Sequence, residues 1–298
     1  MRKFLISCIV FIVPILVVTI SLEIILRNLP NTYRYKYKWM MENAGNVEII
    51  VLGNSHTFYG IRPQFLSGLA FNMANSSQGL REDLFLLEYY KDKYKKLKIV
   101  IVPISYYSLF WIELENDVEW YRERYYKMYM DYDRHSDLSK YNLEVSHRKS
   151  ANNKLKAFSK HVGCESLGNG LLSHNDDKLS DGISHVWRHE AMSNINDLHN
   201  LNYLKEMIRF CKANNAMLVL ITTPCWHTYY DNLNQEQLSK MYELIDQIQK
   251  EFSVPYLDYM KDIRFDSLDF ADPQHLSDVG AEKLTKILNE DMKKLPNE

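Results

Sequence analysis

Short apolar runs and longer amphipathic stretches alternate along this chain from about residue 45 onward. The short runs are rich in β-branched and aromatic residues, which predicts buried strands at Glu48–Leu52, Leu69–Ala74, Lys98–Ile104, Ala216–Pro224 and Pro255–Tyr259. Apolar residues recur at helical spacing in the stretches between them, which begin at Leu80, Leu198, Leu238 and Leu284, and the first of these stretches reaches Tyr94. Strands separated by such helices pair in parallel and carry helices on both faces. The pattern predicts an α/β fold with a doubly wound, mostly parallel sheet in three layers.

The N-terminus departs from this alternation. Arg2 and Lys3 precede an uncharged apolar stretch, Phe4–Leu22, which as a helix is long enough to cross a hydrocarbon core of about 30 Å. A cleaved signal peptide, a lipid-attachment signal at Cys8 and a buried core helix are the alternatives. Because the stretch is long and offers only Thr19–Ser21 as small residues for a cut, we expect an uncleaved single-pass anchor in the cell membrane.

Three segments follow from these patterns. We expect a transmembrane anchor at 1–27, a juxtamembrane linker at 28–44 and the α/β domain at 45–298. A long insertion at 106–195 follows the third strand of the domain. Basic residues flank the anchor on both sides, so the positive-inside rule gives no clear orientation for the chain. We nevertheless expect the α/β domain to be extracytoplasmic.

Composition narrows the function classes. Among 298 residues, 46% are hydrophobic and 25% charged, and the formal net charge is -2, which is typical of a globular protein with no electrostatic bias toward nucleic acid. The four cysteines show no close pairing, and no His, Cys, Asp or Glu spacing indicates a metal site. We expect neither a metal nor another cofactor.

A polar cluster directly after the first predicted strand contains Ser55. Ligands of such a sheet bind at the carboxyl ends of its strands, which is where Ser55 lies. A serine hydroxyl needs a base to become a nucleophile, and Asp272 and His275, two residues apart before the last helix, have the spacing to supply one. The alternative is that Asp272 and His275 only flank a helix that Ser277 and Asp278 cap.

These two clusters resemble blocks of a known family. "GNS" around Ser55 and "DPQH" from Asp272 to His275 are similar to the first and last blocks of the SGNH, or GDSL-type, hydrolases, whose fold is flavodoxin-like. The resemblance covers residues 45–105 and 197–295 and implies a triad of Ser55, Asp272 and His275. It also implies ester hydrolysis or O-acyl transfer through an acyl-serine. A single anchor before such a domain is similar to the membrane-anchored branch that acts on cell-envelope polysaccharides.

Two blocks depart from the family pattern. Asn54 stands where the first block usually has Asp, and the third block, at "PISYYSL" after the third strand, lacks the usual Asn. Losing one oxyanion donor of this kind costs on the order of 100-fold to 1000-fold in rate. In the second block Asn72 matches, and the candidate oxyanion or substrate groups near these blocks are Ser76, Ser77, Gly79 and Tyr106.

Two further histidines and the insertion are less informative. His56, next to Ser55, is expected to have a structural or substrate-contact role rather than to act as the base. His227 follows the fourth strand, and substrate contact and a plain loop position remain open for it. The aromatic start of the insertion fits either a lid that stacks on sugars or a segment packed against the sheet edge or the membrane surface, and we expect packing.

Two hypotheses from different classes result. One is a membrane-anchored serine esterase or O-acyltransferase whose partner is a cell-envelope polysaccharide or its acyl donor. The other is a non-catalytic binding or assembly protein that keeps the SGNH scaffold. The triad alone does not distinguish water from a sugar hydroxyl as acyl acceptor, because it serves both.

Overall fold

The computed structural model describes residues 1–112, 114, 119–132, 142–146, 151, 154 and 163–296. The chain divides into two units, one of residues 1–37 with 120–163 and one of residues 38–119 with 164–298. The predicted insertion at 106–195 is thus split between the units. The predicted linker at 28–44 contains a helix, α2 (Thr32–Asn43), within which the division falls.

The first unit contains helix α1 (Arg2–Asn28) and the short helix α5 (Glu123–Tyr129). α1 has a window of mean hydropathy 2.9 with none of it buried, and among the described residues it is the one helix long and apolar enough to cross a membrane. A signal sequence would pass the same test. The last turns of α1 differ from this apolar window because they include a buried residue: Leu26 is fully buried, and Arg27 Nη2 donates to the Asn142 carbonyl at 2.5 Å.

Five strands of the second unit form one sheet in the described part of the chain. The strands are shorter than predicted by one or two residues at each end, and each lies within its predicted run: β1 (Ile49–Val51), β2 (Ala70–Asn72), β3 (Ile99–Pro103), β4 (Met217–Thr222) and β5 (Tyr256–Asp258). Their order is β2-β1-β3-β4-β5, and all four pairings are parallel. This is the flavodoxin-like order of a doubly wound sheet, so the predicted fold class is confirmed.

Helices connect these strands. Those of the second unit, besides α2, are α3 (Ser55–Gly60), α4 (Leu80–Tyr89), α6 (Gly182–Ala191), α7 (His199–Ala213), α8 (His227–Tyr230), α9 (Gln235–Phe252) and α10 (Asp278–Met292). The predicted stripes form their buried faces, as Met241 and Ile248 of α9 and Leu284 of α10 illustrate. The stripe from Leu80 was expected to reach Tyr94, but α4 ends at Tyr89 because the chain turns there, with Lys93 N–H donating to the Tyr90 carbonyl.

A small hairpin lies between β5 and α10. Strands β6 (Phe270–Asp272) and β7 (His275–Leu276) pair in antiparallel fashion around a turn at Pro273 and Gln274. α10 follows directly, and its first turn is capped by Ser277 Oγ, which accepts a hydrogen bond from Gly280 N–H at 3.2 Å. The hairpin was not predicted, but the tight turn at Pro273 was.

Candidate active site

Ser55 is the first residue of α3 and follows the carboxyl end of β1. The chain reverses between strand and helix at Gly53, whose φ of +107° favours glycine. A Cβ at this position would also lie 2.0 Å from Pro103 Cγ at the end of β3. Asn54 caps the helix, because its Oδ1 accepts a hydrogen bond from His56 N–H at 2.9 Å. Local sequence therefore presents Ser55 at the rim of the sheet, where it is partly exposed.

The structure brings Ser55 together with the two residues of the β6–β7 hairpin. Ser55 Oγ lies 2.8 Å from His275 Nε2, and His275 Nδ1 lies 2.8 Å and 3.0 Å from the two carboxylate oxygens of Asp272. These contacts follow the order nucleophile, base and orienting acid of a serine triad. The predicted convergence of the three side chains is confirmed, while their catalytic role stays a prediction.

Asp272 is fixed in its ionised form. Its Oδ1 accepts hydrogen bonds from the backbone N–H groups of Gln274 and His275, each at 3.0 Å. Burial raises the pKa of Asp272, but the hydrogen bond and charge of His275 with these backbone bonds outweigh it and lower the pKa to about 2. A carboxylate can only accept, so the His275 Nδ1–H donates to it. His275 Nε2 is then free to take the Ser55 proton.

His56 is a buried neighbour of the triad. Its ring lies 5.4 Å from the His275 ring, centroid to centroid, and it is only 4% exposed. Burial, with the nearby His275, lowers the pKa of His56 to about 3, so the ring is neutral at physiological pH. His56 Nδ1 lies 2.7 Å from Ser105 Oγ, and His56 Nε2 lies 3.4 Å from Gln274 Oε1. These partners indicate a structural role, one of the two expected.

Sequence reasoning missed Gln274 and two histidines of the insertion. Gln274 Nε2 donates to His185 Nδ1 at 2.8 Å, so the residue before His275 is held from two sides. His189, one helical turn further along α6, lies with Nδ1 2.7 Å from the Tyr229 hydroxyl. Burial lowers the pKa of both histidines. No motif marks these residues, because their proximity to the triad arises from the path of the insertion.

The second part of the insertion packs against the loops around the triad. The Leu167 carbonyl accepts from Asn72 N–H, and the Leu172 carbonyl accepts from Asp278 N–H. Between them, Gly170 N–H donates to the Phe58 carbonyl of α3 at 2.9 Å. A Cβ at Gly170 would come within 2.6 Å of the Tyr59 ring, which contacts His275. This segment is therefore packed beside Ser55, a position that the expected packing against the sheet edge or the membrane surface did not include.

The aromatic start of the insertion also packs. Tyr107, Phe110 and Trp111 are each less than 9% exposed, and the Tyr107 ring lies 4.0 Å from the His189 ring. Most of the charged stretch that follows, at 113, 115–118, 133–141 and 147–150, lies outside the described residues. The lid hypothesis therefore has no support from the described aromatic residues.

The candidate oxyanion groups differ in their availability. Gly79 N–H donates to Glu82 Oε2 at 3.1 Å, and the Tyr106 hydroxyl accepts from Asn234 N–H at 3.1 Å and lies 3.3 Å from Glu190. Both predicted donors thus have other partners in this structure. Ser77 Oγ donates to Glu119. The backbone N–H groups of Ser76 and Ser77 have no acceptor among the described residues.

His227 begins α8 and has a half-exposed side chain. Its Nδ1 lies 3.8 Å from Asp231 Oδ2, and the preceding Trp226 N–H donates to the Pro273 carbonyl at 2.8 Å. The second bond fixes the start of α8 beside the hairpin. Substrate contact by His227, one of the two alternatives for this residue, stays a prediction. Within the described ranges, no three His, Cys, Asp or Glu side chains are placed to hold a metal ion.

A buried carboxyl supports the turn before Ser55. Asp83 of α4 accepts hydrogen bonds from Gly53 N–H at 2.8 Å and from Gln78 Nε2 at 2.6 Å. Burial raises the pKa of Asp83 to about 7, against the opposing effect of these two donors. Its place in the first turn of α4 gave no signal of this role.

Comparisons with known proteins add little beyond this geometry. No protein family model matches the chain, and no curated protein matches it at a significant level. Similar solved structures include a lipolytic protein of the G-D-S-L family from Desulfitobacterium hafniense, with 13% identity, 82% of this chain and 99% of that one covered, and a TM-score of 0.40. A psychrotrophic esterase from Pseudoalteromonas has 11% identity, coverage of 83% and 94%, and a TM-score of 0.41. An aryl esterase from M. smegmatis has 10% identity, coverage of 84% and 100%, and a TM-score of 0.39.

With TM-scores below 0.5, these likenesses are too distant to carry function, and the placement of the site rests on the chain itself. The parallel sheet has the flavodoxin-like order, and the nucleophile candidate follows β1. The Asp-x-x-His turn precedes the last helix and meets Ser55 at 2.8 Å. The order of the sheet and the convergence of these three side chains are what the sequence resemblance to the SGNH hydrolases implies.

Proposed function

We propose that this protein is a membrane-anchored serine esterase or O-acyltransferase that acts on acyl esters of a cell-envelope glycan. The observation that carries the proposal is the continuous contact from Ser55 Oγ through the His275 ring to the Asp272 carboxylate. A structural serine would not need a histidine whose tautomer is fixed by a partly buried carboxylate.

The first half of the reaction follows from this geometry. Ser55 Oγ attacks the ester carbonyl carbon while its proton moves to His275 Nε2. The imidazolium that forms is stabilised by Asp272, whose pKa of about 2 keeps it charged. The carbonyl oxygen becomes an oxyanion, and His275 then gives its proton to the leaving alcohol. The acyl group remains on Ser55 as an ester.

In the second half, an acceptor hydroxyl replaces the leaving alcohol. His275 takes a proton from water or from a sugar hydroxyl, whose oxygen attacks the acyl-serine carbonyl. The oxygen of Ser55 leaves and recovers the proton. Water as acceptor gives an esterase, and a sugar hydroxyl gives an acyltransferase.

The glycan and the anchor rest on other observations. The family resemblance supports an envelope polysaccharide as substrate, and helix α1 supports membrane attachment. The end of α1 is bonded within its own unit, because Glu23 Oε2 accepts from Val145 N–H at 3.1 Å and Arg27 donates to Asn142. Both residues follow the possible cut at Thr19–Ser21, so retention of α1 is proposed from the length of its apolar stretch and not from these bonds.

The decisive experiment is labelling of the full chain in detergent with a fluorophosphonate, which reacts with activated serines. We expect labelling and hydrolysis of 4-nitrophenyl acetate by the wild type, and neither by Ser55→Ala. Ser239→Ala, an exposed serine on α9, is the matched control and should behave as wild type. A wild type that is neither labelled nor active would favour the non-catalytic scaffold.

Hydrolysis and transfer are separated by the acceptor. Labelled acyl donor is incubated with the wild type, with and without a purified envelope glycan, and acylated glycan and free acid are both measured. Acylated glycan that depends on Ser55 supports transfer. Release of free acid from an already acylated glycan supports the esterase.

A further inference from the structure

An acyl-serine reaction develops negative charge on the carbonyl oxygen, and N–H donors must receive it. Several backbone N–H groups near Ser55 are available, including those of Ser55 itself and Ser76. Ser55 N–H, at the first position of α3, has no acceptor among the described residues. Ser76 N–H is also without one, and its loop is tied to the nucleophile turn because Asn75 N–H donates to the Gly53 carbonyl at 3.1 Å. Active sites of this kind often add a side-chain amide to such backbone donors.

The side chain of Asn54, the residue before Ser55, is an amide with a fixed orientation. Its Oδ1 accepts from His56 N–H at 2.9 Å, and a backbone N–H can only donate, so the amide oxygen is identified without ambiguity. Nδ2 therefore faces the other way and donates to Ser105 Oγ at 3.3 Å. An amide nitrogen has two hydrogens. The second hydrogen of Asn54 has no acceptor within the part of the chain that the structure describes.

The surroundings hold this amide still. Asn54, His56 and Ser105 are 5%, 4% and 3% exposed, and Ser105 Oγ lies 2.7 Å from His56 Nδ1. Ser105 N–H donates to Ser108 Oγ at 2.9 Å, which fixes the loop after β3. β1 and β3 are neighbours in register Val51 to Ile101, and this brings the two loops side by side. A rigid, dry donor is what electrostatic stabilisation of an oxyanion needs.

We propose that Asn54 Nδ2 donates a hydrogen bond to the oxyanion, together with the backbone N–H groups of Ser55 and Ser76. This inference rests on the proposed acyl-serine reaction. It also gives one explanation for the two positions, in the first and third blocks, at which the sequence departs from the family pattern. The third block has Ser105 in the loop where an amide is expected, the first block has Asn54 where a carboxylate is usual, and these two side chains are bonded to each other. In this chain the amide therefore lies in the loop after β1, next to the loop after β3 in which the family pattern places it.

The first test removes the amide while keeping the helix cap. Asn54→Ser retains a capping oxygen without charge, and Asn54→Asp retains size and cap but has no N–H. We expect kcat for 4-nitrophenyl acetate to fall about 100-fold in Asn54→Ser, with KM changed by less than about threefold, and further in Asn54→Asp because its charge repels the oxyanion. Activity within about threefold of wild type in both folded variants would overturn the proposal.

The second test returns the amide to the other loop. Asn54→Asp combined with Ser105→Asn should regain at least tenfold over Asn54→Asp alone. A folded double variant that stays at the level of Asn54→Asp overturns the exchange between the two positions. If the double variant does not fold, as judged by its melting temperature, the proposal is tested by the kcat of Asn54→Ser alone.

A third variant distinguishes a residue that donates a hydrogen bond to the oxyanion from one that only positions the donor. Ser105→Ala should cost less than about tenfold, because Ser105 only positions the amide. A loss of 100-fold there with little loss in Asn54→Ser would make Ser105 the donor and overturn the proposal. A wild type without ester turnover or labelling rejects the proposed function instead. An active wild type with an equally active Asn54→Ser rejects this inference alone.

Discussion

The Ser105 hydroxyl lies 2.7 Å from His56 Nδ1, so the residue after the nucleophile is bonded to the loop that follows β3. The other ring nitrogen of His56 lies 3.4 Å from Gln274, the residue before the base. Through one neutral ring, the nucleophile helix, the β3 loop and the hairpin with the base are held in a single arrangement. The geometry of Ser55 and His275 therefore depends on side chains that do no chemistry themselves.

Removal of the base or its orienting acid should abolish most activity. We expect His275→Ala to lose fluorophosphonate labelling, because the neighbouring His56 is occupied at both ring nitrogens. Asp272→Asn should lower kcat by about 10³-fold to 10⁴-fold, because the histidine tautomer is no longer fixed. Both variants should keep the circular-dichroism spectrum of the wild type. Wild-type turnover in either folded variant would contradict the triad.

His56 should act by position and not by titration. His56→Phe keeps an aromatic ring but leaves buried Ser105 and Gln274 without their partner, which costs about 1–3 kcal/mol for each unsatisfied group. We expect a lower melting temperature and a kcat reduced by about tenfold, measured together. Since the pKa of His56 is about 3, the profile of kcat/KM between pH 5 and 8 should keep its shape in the variant. A shifted acidic limb would show that His56 titrates in the working range.

Gly53 should not tolerate a side chain. Its φ of +107° and the 2.0 Å distance that an added Cβ would have from Pro103 Cγ predict a loss on the order of 3 kcal/mol in Gly53→Ala, together with a displaced Ser55. Gly45→Ala is the control, because a Cβ there would meet nothing closer than 3.4 Å. Thermal melting and ester turnover measure the two effects. Equal stability of both variants would contradict the strained turn.

Asp83 should make stability depend on pH. Its folded pKa, about 7, lies above the unfolded value of 3.8, so its contribution is fully present below pH 3.8 and is lost as pH rises through about 7. Asp83→Asn keeps the acceptor for Gly53 N–H but cannot ionise. Relative to wild type, the variant should gain stability between pH 4 and pH 8, on the order of 4 kcal/mol, in melting experiments at several pH values. A constant difference between the two proteins would reject the raised pKa.

The anchor should remain on the mature protein. We expect the full chain to stay in the membrane fraction after carbonate washing and its N-terminal peptide, from Met1 or Arg2, to be found by mass spectrometry. The reason is the length of the apolar stretch, which offers only Thr19–Ser21 as small residues for a cut. Recovery of a soluble form that begins near Leu22 would identify a signal peptide instead.

The sequence by itself determined the layers of the fold and the position of Ser55. The spacing of apolar residues and the lengths of the apolar runs specify β1 to β5 and their helices. This works because the pattern within each element determines which of its faces is buried. Since parallel strands end at one rim, the residue three positions after the β1 run had to lie there. Asp272 and His275 were found because their contact spans one turn of the chain.

Only the tertiary structure decided what surrounds these three residues. His185 reaches Gln274 across 89 positions, and Asn54 meets Ser105 across 51, so neither contact leaves a local pattern. Gly79 and Tyr106 looked free as donors, but Gly79 N–H donates to Glu82 and the Tyr106 hydroxyl donates to Glu190, since hydrogen-bond partners depend on packing and not on residue type. The helical stripe around Asp83 gave no sign of its bond to Gly53, because helical period reports which face is buried and not which polar group meets it there.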